Sequence, residues 1–518
     1  MAPFTLHLPG QKSNSGNMPA GARLDSPAAG MAELQPPYTS QQAVVEAQRC
    51  LFCFDAPCIQ ACPTGIDVPS FIRKIAHGNP VAAARTILSA NILGASCARV
   101  CPTEVLCEGA CVVLSWEGDP VKIGRLQRHA TDYVFEQLDV AGDRPGLAEQ
   151  CSALRILGKP AASSGKRVAI IGGGPAGLGC AAELAQLGHQ AVVFEKRPRA
   201  GGLNTHGVAV YKMKPATGLA EVELVKSLGV EFRCGVEVGR DISVAQLEKE
   251  FDAIFIGMGF GGGLRLGIPG GDLPEVITAL DFIEQIHTRP AAEVRVGKRV
   301  AVIGGGNTAI DAVTQARRLG APSATVIYHR GENDLPAYPF EYELAKRDGA
   351  QFLFNAAALE ILAEEGRVSA LRLARTRVND AGALETVPGS EWVEPFDMVI
   401  EAIGQEKQTE TLRRHFPALE FDERGAVQCH AVTGRTNLPR VFAGGDCANG
   451  GHEVVHAVAD GKRAARGIHA MFSGETVTGP VQPSRLGVAG GAFGSGLDYR
   501  RRFLEQHSQS ANDGVVHG

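Results

Sequence analysis

The sequence predicts an α-helical, cysteine-rich N-terminal domain followed by an α/β region built from two copies of one nucleotide-binding fold. Three observations carry this. Eight of the 13 cysteines crowd between Cys50 and Cys111. From Arg167 onward, short β-branched strands alternate with helical patterns. Two segments there resemble each other: Arg167-Val-Ala-Ile-Ile-Gly-Gly-Gly-Pro-Ala-Gly177 and Arg299-Val-Ala-Val-Ile-Gly-Gly-Gly-Asn-Thr-Ala309. Each reads as strand, glycine turn and helix. They start 132 residues apart, too far for a solenoid repeat, so the pattern is a duplicated fold.

The chain has 518 residues, enough for roughly three to four domains. Its net charge of −5 points to neither a nucleic acid nor an anionic membrane surface as partner. No apolar run is long enough to span a bilayer. Residues 1–40 contain Gly, Pro, Ser and Ala without a basic stretch followed by an apolar one, and read as a flexible tail. Clustered thiols without a secretion signal fit a reducing, cytoplasmic compartment and metal ligation. Residues 41–165 form the expected helical domain, with helical spacing from Ser70 to Ala90 and from Ile123 to Leu138. Residues 480–518 read as a second tail.

The first glycine loop fits G-x-G-x-x-G at Gly172, Gly174 and Gly177, with Pro175 and Ala176 between the last two. Gly172 allows the tight turn after the strand. Gly174 lets the backbone approach a pyrophosphate, and Gly177 lets the helix pack on the sheet. The helix N-terminus offers N–H groups to the phosphates. The next strand, Gln190-Ala-Val-Val-Phe194, ends at Glu195, the acid a ribose diol needs. The bland alternative is a strand–helix turn without ligand. Two features favour FAD here. Gly201-Gly202-Leu203 follows closely, as where a long dinucleotide is cradled. Near the C-terminus a strand ends in Gly445-Asp446, whose acid could bond the ribityl–phosphate region. A helix from about Glu453 could point its N-terminus at the isoalloxazine. The plain reading of Asp446 is a helix cap.

In the second loop, Gly304 and Gly306 precede Asn307, Thr308 and Ala309, and Ala is permitted at the third position. Asp311 reads as structural. The next strand ends in His329-Arg330 with no acid. Arginine accommodates a 2′-phosphate, which favours NADPH over NADH. His329 reads as an adenine-side or surface residue. Two loops imply two dinucleotides, FAD and NAD(P)H. Hydride transfer between them needs stacking more than acid–base chemistry, so no catalytic side chain is nominated. Cys234, Cys429 and Cys447 are solitary, which disfavours a flavin–disulfide exchange and requires another exit for electrons.

That exit is the cysteine cluster. Its first block is Cys50-x2-Cys53-x4-Cys58-x3-Cys62-Pro63, and its second is Cys97-x3-Cys101-Pro102-x4-Cys107-x3-Cys111. Thiolates suit iron–sulfur clusters or zinc. Four-thiolate zinc sites usually show two equal Cys-x-x-Cys knuckles, and these spacings are unequal. Disulfides do not fit the compartment. Spacing alone offers Cys97 as a ligand of the second centre.

The stretch Arg49 to Thr64, the block Cys97 to Cys111 and the two glycine loops resemble the N-terminal half of dihydropyrimidine dehydrogenase and the small subunit of NADPH-dependent glutamate synthase. The resemblance runs from about residue 45 to 475. It implies two [4Fe–4S] clusters bound in crossed fashion. Cys50, Cys53, Cys58 and Cys111 would hold one. Cys62, Cys101 and Cys107 would hold the other, with Gln127 of Lys122-Ile-Gly-Arg-Leu-Gln127 as the fourth ligand and Cys97 left out. The sequence departs from the usual pattern at Asn204 to Lys214, while Leu335-Pro-Ala-Tyr-Pro339 resembles the nicotinamide-side loop.

The resemblance further implies a thioredoxin-reductase-like pair of Rossmann-like domains, the second inserted in the first. FAD would take residues 166–290 and 431–479, and NAD(P)H residues 291–430. Electrons would pass to a partner subunit carrying FMN and iron–sulfur, forming a hetero-oligomer that reduces uracil or thymine. This chain lacks the length and eightfold pattern for that barrel itself. The rivals are a glutamate synthase small subunit and a cofactor-stabilised binding subunit without catalysis.

Overall fold

The computed structural model describes residues 31–138, 147–154, 156–379, 382–475 and 477. Residues 1–30 of the tail expected at 1–40, and the tail expected at 480–518, lie outside the described residues. Helices Ser40–Ala47, Val68–Ala76, Pro80–Ala90, Gly94–Val100 and α1 (Ile123–Leu138) build the first domain. Phe71, Ile72, Ile87, Leu93 and Leu126 are fully buried among them. α1 has the predicted bounds. The single periodic stretch from Ser70 to Ala90 is instead two helices. Gly78 turns at φ +71°, Asn79 Oδ1 accepts the Ala82 N–H at 3.0 Å, and Pro80 opens the second helix. The periodicity persists across the break because both helices face one core.

Residues 31–39, expected within the flexible tail, are pinned by charge and burial. Met31 is buried in the core of the second nucleotide domain. Glu33 pairs with Arg128 and Arg99 and accepts the Lys214 N–H at 3.2 Å. The Arg125 guanidinium lies 3.7 Å from the Tyr38 ring centroid.

The α/β region begins with β1 (Arg167–Ile171), α2 (Pro175–Gln186), β2 (Gln190–Glu195), β3 (Glu231–Cys234) and β4 (Ala253–Ile256). It continues through β5 (Val276–Thr278), β6 (Arg299–Ile303), α3 (Asn307–Arg318), β7 (Ser323–Tyr328) and β8 (Gln351–Phe354). Then come β9 (Ala356–Glu364), β10 (Arg367–Val378), β11 (Leu384–Thr386), β12 (Trp392–Pro395), β13 (Met398–Glu401), β14 (Val441–Ala443) and α4 (Val454–Ser473). The first sheet runs β14-β4-β1-β2-β3 and the second β5-β13-β6-β7-β8, both parallel. In β1, Val168 and Ile170 face one core, while Ala169 and Ile171 face another. In β6, Val300 and Val302 face α3, while Ala301 and Ile303 pack with Leu371 and Leu373 of β10. Helices, parallel sheet and antiparallel sheet thus form three layers.

The second domain is inserted in the first, at points that differ from the expected 290 and 431. After β4 the chain crosses over and pairs antiparallel with its own return. Gly261 N donates to Glu406 O at 2.7 Å, and Glu406 N to Gly262 O at 2.9 Å. β5 is therefore an edge of the second sheet, in register with β13. Phe282 and Ile286 of the following helix are buried in that domain's core. On the return side, Leu412 and Phe416 pack with the first sheet. The crossings lie near 262 and 405. A three-residue strand carries too little pattern to mark such a boundary. No single helix among the described residues is long and apolar enough to cross a membrane.

Candidate functional site

Both glycine loops lie at the carboxyl ends of parallel strands, where wound sheets bind ligands. Gly172 turns the chain at φ +103°. A Cβ on Gly177 would stand 1.9 Å from the Gly172 carbonyl oxygen, so only glycine lets α2 start directly against the turn. Gly174 is different. The nearest atom to a Cβ there would be Gly202 Cα at 3.7 Å, leaving open the side a phosphate approaches. Pro175 and Ala176 begin α2.

Glu195 ends β2, 8% exposed. Its Oε2 accepts the Gly173 N–H and its Oε1 the Arg197 N–H, each at 2.8 Å. Gly201 N donates to Gly173 O at 2.8 Å. The Gly201–Leu203 turn and the first glycine loop are therefore one cradle. Gly445, at φ +76°, packs against Ala176. Gly445, rather than Asp446, is the N-cap residue of the short helix Asp446–Asn449. Asp446 is pushed above the ordinary carboxylate range by burial, and its carboxylate faces Gly259 at the crossing. α4 reaches this cradle because Gly461 lies against α2, where a Cβ would meet Ala176 O at 2.0 Å. The N-cap residue of α4 is Glu453.

In the second loop, Gly304 has φ +140° and no room for a Cβ, which would meet Ala402 O at 2.2 Å. A Cβ on Gly306 would meet nothing within 4 Å. Asn307 Oδ1 accepts the Tyr338 N–H at 2.9 Å, and Thr308 follows it in the first turn of α3, half-buried. At the end of β7, the His329 and Arg330 carbonyls are held by Thr376 Oγ1 and Asn355 N at 2.8 and 3.0 Å. The His329 side chain is exposed. Among the described residues no hydrogen bond or ion pair is given by the Arg330 guanidinium. Asp311 is structural, accepting from Tyr211 Oη at 2.7 Å and pairing with Lys212 at 2.7 Å.

The cysteines gather in two sets. Cys50, Cys53, Cys58 and Cys111 line one cavity with Ala56, Pro57, Val68, Ile72 and Val113. Burial, then the neighbouring thiols, push Cys58 to about 12. Such thiols bind as thiolates only when a cation supplies compensating charge. Among the described residues, no three His, Cys, Asp or Glu side chains are gathered closely enough for a single metal ion. A ring of four thiols around an apolar space suits a larger inorganic cube better than zinc. In the second set, Cys101 is raised by its hydrogen bond with Cys97 and by burial, and it feels the charge of Cys62. Cys107, raised by burial, feels Cys62 and Cys58. Cys97 Sγ accepts from Asn91 Nδ2 at 3.2 Å. Gln127 is buried on α1, and its Nε2 donates to Gly94 O at 2.7 Å.

Sequence reasoning missed how these sets are placed. Arg49 donates to Glu117 at 2.8 Å and to the Asp119 carbonyl at 2.6 Å, tying the Cys50 loop to the turn after Cys111. Around that set, Leu51, Phe54 and Trp116 are exposed. The second set faces inward. Glu221 of the first nucleotide domain accepts the Ala95 and Ser96 N–H groups at 2.8 and 2.9 Å, at the start of the helix carrying Cys97. Lys462 of α4 donates to Ala90 O at 2.6 Å. Lone acids and lysines carry no such pattern in a sequence.

Two wound nucleotide domains, one inserted in the other, beside two thiol-lined centres define an oxidoreductase that uses FAD, NAD(P)H and [4Fe–4S] clusters. Residues 166–461 match the model of the pyridine nucleotide-disulphide oxidoreductases, and the chain belongs to that family. Residues 28–138 match the model described as dihydropyrimidine dehydrogenase domain II, 4Fe-4S cluster. The chain is 37% identical to the glutamate synthase [NADPH] small chain of Halomonas elongata, over 84% of this chain and 92% of that one. It is 33% identical to the NAD-dependent dihydropyrimidine dehydrogenase subunit PreT of Salmonella typhimurium, over 84% and 96%. Among solved structures, Mycobacterium tuberculosis FprA in complex with NADPH is 20% identical with a TM-score of 0.49, covering 66% of this chain and 91% of that one.

Proposed function

We propose that this chain is the electron-input subunit of a larger enzyme. NAD(P)H would bind at Gly304, Gly306, Asn307, Thr308, His329 and Arg330. FAD would lie in the cradle of Gly172, Gly174, Gly177, Glu195, Gly202, Leu203, Gly445 and Asp446. When bound, the flavin accepts a hydride and releases electrons singly. The chain's own part is to hold both dinucleotides and to present thiolates beside them. The carrying observation is the layout of the cysteines. The Cys62, Cys101 and Cys107 set lies toward α4, and the Cys50, Cys53, Cys58 and Cys111 set lies beneath exposed Leu51, Phe54 and Trp116. Those three side chains form the face a partner subunit would cover.

For the partner, an FMN-containing subunit reducing uracil or thymine is supported by Gln127, the fourth ligand that the dihydropyrimidine dehydrogenase resemblance implies, which is buried with its nitrogen held by Gly94 O. A glutamate synthase large subunit is favoured by the higher identity, 37% against 33%. It is also favoured by Arg330, whose guanidinium has no ion pair among the described residues, since that relative is named for NADPH and the other for NAD. The test is to purify the chain without oxygen together with its partner. FMN in the partner and NAD(P)H-dependent uracil reduction support the first reading, and glutamine-dependent glutamate formation the second. Failure of NAD(P)H to bleach the flavin of the isolated chain would sink both.

A further inference from the structure

The segment over the second glycine loop, the start of α4 and the inward cysteine set come together at one side-chain pair. Tyr338 Oη donates to Glu453 Oε1 at 2.6 Å. Tyr338 belongs to the nicotinamide side. Its N–H is held by Asn307 Oδ1, and Ala337 N donates to Gly305 O at 3.2 Å, so this segment lies over the second glycine loop. Its ring stacks on Phe340 at 5.8 Å and 10°. Glu453 belongs to the flavin side, as the residue that starts α4. Glu453 and Tyr338 each lie within electrostatic reach of Cys101. Other ties between the nucleotide domains run from Arg197 to Glu284 at 2.5 Å and from Lys212 to Asp311 and Glu341 at 2.7 and 2.6 Å.

Two cofactors held by different domains must still bring their reacting atoms to within about 3–3.5 Å. The domains are joined covalently by only the two crossing segments near 262 and 405. A small shift between them therefore misplaces one ring against the other.

We propose that the Tyr338–Glu453 hydrogen bond is a positioning latch, holding the segment over the second glycine loop against the start of α4 and so setting the nicotinamide on the flavin. This rests on the hydride-transfer reading above. Neither side chain gives or takes the hydride. Each acts by fixing the other's element.

The test uses Tyr338→Phe, Glu453→Ala, Glu453→Gln and the double variant Tyr338→Phe/Glu453→Ala in the full chain. Flavin bleaching by NADPH and by NADH is followed by anaerobic stopped flow. A second readout, independent of turnover, is the long-wavelength charge-transfer absorbance when NADP⁺ or NAD⁺ is added to dithionite-reduced protein. The latch predicts that Tyr338→Phe and Glu453→Ala each lower the limiting bleaching rate about tenfold and weaken the charge-transfer band, at full FAD and iron content. Glu453→Gln, which keeps an oxygen acceptor, restores most of what Glu453→Ala loses. The double variant is no slower than either single one, because both remove one bond. Unchanged rates and band, or losses that multiply in the double variant, would overturn the latch. Wild-type protein bleached by dithionite but by neither nicotinamide would sink the hydride reading itself, whatever the variants do.

Discussion

Arg330 lies just after β7, with its backbone fixed by Asn355 and its guanidinium without an ion pair among the described residues. A cation held this way suits a 2′-phosphate. Replacing Arg330 with Gln should lower the NADPH-to-NADH ratio of kcat/KM by about 10- to 100-fold, the worth of one hydrogen bond to a charged group. Steady-state dye reduction with each nucleotide measures it, and an unchanged ratio would remove Arg330 from the site. His206, just after the Gly201–Leu203 turn, is lowered to about 3 by burial first, and by Arg197 and other cations. The unfolded chain takes up that proton near 6.5, while the folded one resists it. Stability is therefore present above pH 6.5 and is lost as pH falls toward 4, on the order of a few kcal/mol. Denaturant titrations across that range should show the slope, and His206→Gln should flatten it.

At the scale of elements, α2 and α4 touch through glycine. Gly461→Ala would drive a Cβ into Ala176 O at 2.0 Å. Backbone cannot yield as a flexible side chain can, so about 1–3 kcal/mol of stability should be lost. FAD content should fall with it, since Gly445 is packed on Ala176. Absorbance of the purified variant against its protein content checks this. The same elements show what patterning reveals. The run from Ser70 to Ala90 has helical spacing throughout, and the break at Gly78-Asn79-Pro80 is equally visible once each residue is weighed for its backbone. β5 is not legible, because three residues become a strand only by pairing with β13.

In the whole molecule, the nucleotide domains are clasped by Lys212, which reaches Asp311 and Glu341 with most of its side chain out of solvent. Lys212→Met would leave two buried carboxylates without their cation. A loss of about 3–5 kcal/mol is expected, read by denaturation, with faster limited proteolysis at the crossings near 262 and 405. Residues 31–39 add a strap, since Glu33 binds the cysteine-rich domain through Arg128 and the α/β region through Lys214.

The sequence alone determined the two glycine loops, the acid at Glu195, the two cysteine blocks and hence the fold class. Each is local, because a backbone conformation or a ligand type dictates the residue over a few positions. Only the tertiary structure decided where the domains cross, which way each cysteine set faces, and that Tyr338 meets Glu453. Those depend on contacts between residues far apart in the chain, and such contacts leave no periodicity to read.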